Sequence, residues 1–173
     1  MGRIRQLEVG EIVAQAQRLV AMKAPERGVN LVAMGMGEPM DNLDNVLQAI
    51  RIIGDPAGLN ISGRRITLST VGVVPGILRL AAERIDVRLA LSLNATTDEV
   101  RRGLMPVTRK YPIAELLDAV EVFARGSRYR ITLEYVLIRG LNDTPEDADR
   151  LGRIAERFPS KINLIPFNPS ELF

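Results

Sequence analysis

Apolar positions along this chain switch repeatedly between a helical period and short apolar runs. From Glu8 to Met22, the residues Ile12, Val13, Ala16, Leu19 and Val20 recur at helical spacing, and Pro25 and Gly28 end the segment. Val29 to Met34 follows as an apolar run bounded by glycine, which predicts a strand covered on both faces. It runs into Gly35-Met36-Gly37-Glu38-Pro39, a turn where glycine lets the backbone bend sharply and lets a ligand approach the main chain. Asn42 or Asp44 is in place to cap a second helix with a stripe of Val46, Leu47, Ile50 and Ile53. Arg65 to Ser69 predicts a strand ending in Ser69-Thr70-Val71-Gly72, and Pro75 suits the first turn of a helix carrying Ile77, Leu78, Ala81 and Ala82.

The same alternation fills the second half. Val87 to Leu93 predicts a strand that ends in Ser92-Leu93-Asn94-Ala95, and Thr96 with Glu99 has the spacing of a capping box. Ile113, Leu116, Leu117, Val120, Phe123 and Ala124 define the clearest helix, with Gly126 at its end. Ile131 to Ile138 predicts a long strand with Glu134 inside it, and Asn142-Asp143 turns the chain. Thr144, Pro145 and Asp147 stand in the order of an N-cap, a first-turn proline and a capping acid for a helix through Phe158. Ile162 to Ile165 is the last predicted strand, followed by Pro166-Phe167-Asn168-Pro169. A leading helix, then five strands separated by helices, predicts one α/β domain with a parallel sheet and right-handed crossovers.

Composition narrows the possibilities. A chain of 173 residues with 46% apolar content has enough material for a real core. No stretch approaches the roughly 18 apolar residues of a membrane span, and no apolar signal core follows Met1-Gly2-Arg3-Ile4-Arg5, so the expectation is a cytoplasmic protein. The net charge of +2, from 23 basic and 21 acidic residues, is too balanced to imply nucleic acid by itself. Lys23, Lys110 and Lys161 are the lysines among an otherwise arginine-based set. The doublets Arg64-Arg65, Arg101-Arg102 and Arg109-Lys110 are expected to be solvated, with contact to RNA phosphate as the alternative. Cysteine and histidine are both absent, which excludes disulfides, thiolate or imidazole metal sites and any Cys–His catalytic pair.

Candidate chemistry collects at strand ends. Parallel strands share one carboxyl edge, so Glu38, Ser69, Ser92 with Asn94, and Asn168, at the ends of four strands, should converge there. Small polar groups with one carboxylate suit a nucleoside-like ligand bearing hydroxyl, amine and carboxylate groups. Glu134 either faces the sheet interior, where a carboxylate needs a partner, or pairs with an arginine near the strand ends.

Taken together, Gly35-Met36-Gly37-Glu38-Pro39, Arg64 through Gly76, Leu91-Ser92-Leu93-Asn94-Ala95, Leu104-Met105-Pro106 with Lys110-Tyr111-Pro112, Glu134-Tyr135-Val136-Leu137 and Asn163 through Pro169 resemble the RlmN/Cfr family of radical S-adenosylmethionine (SAM) RNA methyltransferases, specifically its RlmN branch. The resemblance spans nearly the whole chain. It implies a partial (β/α)6 radical SAM barrel, SAM bound at the carboxyl ends of the strands, and methylation of C2 of an adenosine in 23S rRNA, with tRNA as a second substrate in some members. By motif, Gly37 and Glu38 would meet the methionyl amino end of SAM, and Ser69, the segment Ser92-Leu93-Asn94, and Asn168 would contact the rest. Family members often carry His where this chain has Asn94, and Asn retains both a donor and an acceptor.

The resemblance also implies a [4Fe–4S] cluster on a Cys-x3-Cys-x2-Cys loop and a methyl-carrying cysteine, and the chain has no cysteine for either. The expectation is therefore the central part of a radical SAM core domain over residues 1–173. The first barrel strand, the cluster loop, the N-terminal RNA-binding domain and the C-terminal tail are expected to be absent, leaving SAM-contacting groups without activity. An unpaired strand edge would then favour self-association. The competing readings are a non-catalytic RNA- or protein-binding remnant and a phosphate- or sugar-binding barrel enzyme such as an aldolase.

Overall fold

The computed structural model describes residues 5–23, 28–35 and 37–168. Pro25, Met36 and Pro169, each used above, lie outside them. The order is α1 (Val9–Lys23), β1 (Leu31–Ala33), α2 (Leu43–Gly54), β2 (Ile66–Thr70), α3 (Val74–Ala82), β3 (Arg88–Ser92), α4 (Asp98–Leu104), α5 (Ile113–Gly126), β4 (Ile131–Leu137), α6 (Pro145–Ala155) and β5 (Ser160–Pro166). Short 3-10 turns cover Pro39–Asn42, Gly63–Arg65 and Pro106–Arg109. All five strands are parallel and lie in the order β1-β2-β3-β4-β5. The predicted α/β architecture with a parallel sheet is present, and the sheet is open rather than closed. Among the described residues no helix is long and apolar enough to cross a membrane.

Sequential strand order has one geometric consequence. Right-handed crossovers that always step the same way put their helices on one face of the sheet. The helix-covered face carries Leu68, Leu89, Leu91, Ile131, Leu133 and Tyr135, each at most 1% exposed. Each such side chain contributes about 1.5–3 kcal/mol by leaving water. Because strand side chains alternate, the opposite face carries Val32, Thr67, Ser69, Ala90, Ser92, Thr132, Glu134 and Asn163. Hydrophobicity therefore builds one face, and the other is free to be polar.

β1 departs from expectation. It spans three residues, and Val32 is 51% exposed and Met34 57%. A strand covered on both faces is what the apolar run predicts, but β1 is an edge strand with helices on one side only. The helix caps also differ in detail. Asn42 occupies the N-cap position of α2 without a capping bond, because its Oδ1 accepts from Asn45 Nδ2 at 3.0 Å while its amide donates to the Leu7 carbonyl at 2.8 Å. Helix α4 is capped by Thr97, whose hydroxyl accepts from the Val100 N–H, rather than by Thr96. Thr96 is taken by α6: its hydroxyl donates to Asp147 Oδ1 at 2.6 Å and accepts from Arg150 Nε at 2.9 Å. The capping box of Thr144 and Asp147 forms as predicted.

Asp147 thus serves both as a cap and as the anchor between α6 and the loop after β3. Burial pushes its pKa up, but hydrogen bonds from Thr96, Arg150 and Thr144 outweigh this and hold it at about 2, below its ordinary 3.8. A depressed carboxylate adds stability above its unfolded pKa and loses it as pH falls through the folded value. Asp147→Ala is expected to cost about 2–4 kcal/mol at neutral pH, by urea unfolding. The deficit relative to wild type should shrink between pH 4 and pH 2, and a pH-independent deficit would contradict the assignment.

Candidate functional site at the carboxyl edge

The site begins at the turn after β1. Gly37 has φ of +127°, a conformation glycine adopts without a side-chain clash. Glu38 then caps the following 3-10 turn: Oε1 accepts from the Met40 N–H at 3.0 Å, and Oε2 accepts from the Val71 N–H at 2.8 Å. The second bond crosses from the end of β1 to the end of β2. Burial raises the pKa of this carboxyl above its ordinary value, and the two main-chain N–H groups pull the other way without cancelling the effect. Each oxygen retains a lone pair for a donor on a ligand.

Val71 is bonded from its other side as well. Its carbonyl accepts from Arg101 Nη2 at 2.7 Å. The same guanidinium donates from Nη2 to Ser92 O at 3.1 Å, from Nε to Leu93 O at 2.9 Å, and from Nη1 to Thr108 Oγ1 at 2.8 Å. Arg101 is 0% exposed. Burial brings its pKa down to about 10, with Asp98 exerting a weaker upward pull. This corrects the expectation that the Arg101-Arg102 doublet is solvated. Arg102 is exposed and sits near Asp98 and Glu99, whereas Arg101 points into the fold to satisfy carbonyls that strand ends leave without ladder partners.

Asn94 continues the seam. It sits at φ of +57°, which Asn tolerates better than most residues. Its Oδ1 accepts from the Val136 N–H at 3.0 Å, and its Nδ2 faces Met105 Sδ at 3.5 Å. Its carbonyl accepts from Asn142 Nδ2 at 2.7 Å, and Asn142 also bonds Val136 O and the Ile138 N–H. Leu93 is fully buried, with its N–H donating to Glu134 O and its carbonyl taken by Arg101, so its contribution is to hold Ser92 and Asn94 in place. Ser69 and Ser92 lie on the helix-free face. Asn168 is exposed just beyond β5, whose path is fixed there by the Phe167 N–H donating to Leu137 O.

The structure therefore joins Glu38, the loop after β2, Ser92, Leu93 and Asn94 through one run of hydrogen bonds. Ser69 lies beside that run on the helix-free face, and Asn168 stands at the far edge. Glu134 faces the helix-free side and pairs with Asn163, not with an arginine: Asn163 Nδ2 donates to its Oε2 at 2.6 Å. Sequence reasoning missed Arg101 and Asn142. Arg101 falls one residue after Val100 and three before Leu104, on the apolar side of a short helix, and that position was the available signal.

This architecture, a sequential parallel sheet with its polar groups on the carboxyl edge and on the face opposite the helices, defines a barrel-type ligand site. The chain belongs to the radical SAM superfamily, whose family model matches residues 1–151. Its relatives include the dual-specificity RNA methyltransferase RlmN of Geobacter sulfurreducens, 53% identical over 167 residues, covering 96% of this chain and 45% of that protein. The RlmN of Geotalea uraniireducens is 52% identical over 164 residues, covering 95% of this chain and 47% of that protein. The crystal structure of a radical SAM methyltransferase from Sphaerobacter thermophilus superposes with a TM-score of 0.90 at 43% identity, over 99% of this chain and 51% of that one. The chain spans about half the length of the curated relatives it matches.

Arg101 offers a direct test of the seam. Arg101→Lys keeps the charge but has no planar fork, so several buried acceptors lose their donors. The expected cost is about 3 kcal/mol or more in urea unfolding. Stability within 1 kcal/mol of wild type would show that the carbonyl cage does not depend on the guanidinium.

Proposed function

We propose that this chain is the SAM-binding part of an RNA methyltransferase of the RlmN type, acting on C2 of an adenosine in 23S rRNA and tRNA. The observation that carries the reading is the fixed carboxylate of Glu38 in the glycine turn after β1, held by the N–H groups of Met40 and Val71 beside the end of β2. In this reading Glu38 and the Gly37 main chain receive the ammonium of SAM. Ser69 and Ser92 offer hydroxyls to the rest of the cofactor, Asn94 and the buried Leu93 shape the loop beside it, and Asn168 closes the far side. The RNA character of the named relatives supports the substrate class and a cytoplasmic setting. Arg109 and Lys110, exposed beside the carboxyl edge, are suited to phosphate contacts.

The donor set here does not fit an iron–sulfur cluster: the chain contains neither cysteine nor histidine, and no group of acidic side chains able to hold a metal occurs among the described residues. The reading accordingly assigns these residues to binding and orienting SAM, and assigns them no step of SAM cleavage or methyl transfer. It treats residues 1–173 as part of the radical SAM core.

Two outcomes test the proposal. Titration calorimetry should detect SAM binding to the purified chain, weakened about tenfold or more by Glu38→Ala, the loss expected for a charged hydrogen bond. Because burial raises the Glu38 pKa, affinity should begin to fall on acidification above the ordinary carboxylate range. Unchanged affinity in the variant would remove Glu38 from the site. Separately, the outer edge of β1 is expected to pair with a second copy, giving concentration-dependent sedimentation that Val32→Lys suppresses. A concentration-independent monomer would contradict that assembly.

A further inference from the structure

The amino edge of the sheet, opposite the strand ends that form the site above, concentrates arginine to which the reading above gives no task. The chain enters β2 through Arg64-Arg65, reaches β3 through Arg84 and begins it at Arg88, and enters β4 through Arg128 and Arg130. Arg64, Arg84, Arg128 and Arg130 are exposed, and Arg65 and Arg88 are half-buried. Parallel strands begin side by side, so these loops share one edge, about 10 Å wide between β2 and β4 at the usual strand spacing. The overall charge of +2 conceals this partition.

The carboxylates nearby are already engaged. Asp55 Oδ1 accepts from the Ala57 N–H at 2.8 Å, and Glu83 pairs with Arg51 at 2.8 Å. Asp86 pairs with Arg128 at 3.2 Å and accepts from the Tyr129 hydroxyl at 3.1 Å. Among the described residues, Arg64, Arg65, Arg84, Arg88 and Arg130 form no ion pair. The backbone that carries them is fixed. Arg88 Nε donates to the Arg64 carbonyl at 2.7 Å, and its guanidinium lies 4.7 Å from the centroid of the Tyr129 ring, so one side chain ties the entries of β2, β3 and β4 together. A Cβ on Gly63 would lie 1.6 Å from the Asp86 carbonyl oxygen, so the loops before β2 and β3 are packed without room to slide. Binding therefore does not first have to order these loops.

The chemistry selects a phosphate backbone. A guanidinium presents a planar fork that meets two phosphate oxygens at once. A lipid surface suits this edge poorly, because it calls for apolar side chains beside the charges, and no exposed large apolar residue lies in the loops before β2, β3 or β4. A nucleic-acid duplex carries about one charge per 2 Å of axis, so an edge of this width meets several phosphates together. Strands of five residues set this edge about 16 Å from the carboxyl edge, which separates it from Arg109 and Lys110. We propose that the amino edge, through Arg64, Arg65, Arg84, Arg88 and Arg130, grips the phosphate backbone of a folded RNA as a second contact, remote from the SAM-binding edge. This inference rests on the reading that RNA is the substrate class of the chain.

The test reads binding of a labelled RNA hairpin by fluorescence anisotropy between about 50 and 200 mM salt. The wild type is expected to show log Kd rising with log salt at a slope of about 2–4, each neutralised phosphate contributing roughly 0.7–0.9. Arg64→Glu combined with Arg130→Glu is expected to weaken binding about tenfold or more and to lower the slope by about 2, with SAM affinity unchanged. The Arg64 carbonyl that receives Arg88 is main chain, so this reversal leaves that bond in place. If circular dichroism shows the double variant unfolded, Arg64→Gln and Arg130→Gln replace it, each expected to lower the slope by about 1. Arg18→Glu with Arg153→Glu, exposed on α1 and α6, is the control for net charge and is expected to leave the slope as in the wild type. Equal losses in the control and the amino-edge variant would overturn the inference. So would binding lost only on reversal of Arg109 and Lys110, which would put the RNA on the carboxyl edge and leave the substrate reading standing. A folded wild type that binds SAM but not the hairpin, or that binds vesicles of anionic lipid in its place, would overturn both this inference and the RNA reading beneath it.

Discussion

The structure depends on satisfying the main-chain groups where parallel strands stop. Each strand of a parallel sheet ends with carbonyls and N–H groups that no longer face a ladder partner, and a ligand site must sit among them. Here one buried guanidinium serves much of that need. Arg101 donates to the carbonyls at Val71, Ser92 and Leu93 and to the Thr108 hydroxyl. Removing a guanidinium from water is costly, and it is tolerated because its donors meet fixed acceptors in a planar arrangement that Arg alone provides. Gly72 belongs to the same constraint: a Cβ there would lie 2.9 Å from Leu116 side-chain carbons and 3.3 Å from Arg101 Nη2, at a φ of +107°.

From that anchor the order propagates in both directions. Toward β1, Val71 gives its N–H to Glu38, so the carboxylate is positioned by the residue whose carbonyl Arg101 holds. Toward β4, Leu93 leads into Asn94, whose side chain and carbonyl are secured by Val136 and Asn142. Thr96, two residues further, ties the same loop to Asp147 and Arg150 on α6. Loops that would otherwise be separate are therefore one hydrogen-bonded edge, and a shift of one of them strains its neighbours. This is the rigidity that a binding site needs when its contacts come from several strands.

The legible part of the fold was the part written in periodicity. Ile113 to Ala124 and Ile131 to Leu137 carry enough apolar residues at one spacing to fix type and face, and Thr144-Pro145-Glu146-Asp147 is a cap whose partners are local in sequence. The strand-end positions of Glu38, Ser69 and Ser92 followed from strand order alone. What escaped depends on partners distant in the chain. Thr96 has the local spacing of a cap, yet Asp147, 51 residues on, claims its hydroxyl. Arg101 looks like half of a surface doublet until the Val71 carbonyl, 30 residues earlier, gives it a reason to be buried. Val32 belongs to an apolar run that resembles a covered strand, and its exposure is decided by what does not pack beside it.

The division of the sheet into an apolar and a polar face also explains how a binding surface coexists with a stable core. Strand residues such as Leu89, Leu91, Ile131 and Leu133 place their burial on the helix side, so the helix-free side need not be hydrophobic for the sheet to form. That side is instead built from short side chains, with Thr67, Ser69, Ala90, Ser92 and Thr132 set across adjacent strands. Short side chains leave volume and hydroxyls leave hydrogen-bonding capacity, the two properties a nucleoside-sized ligand requires.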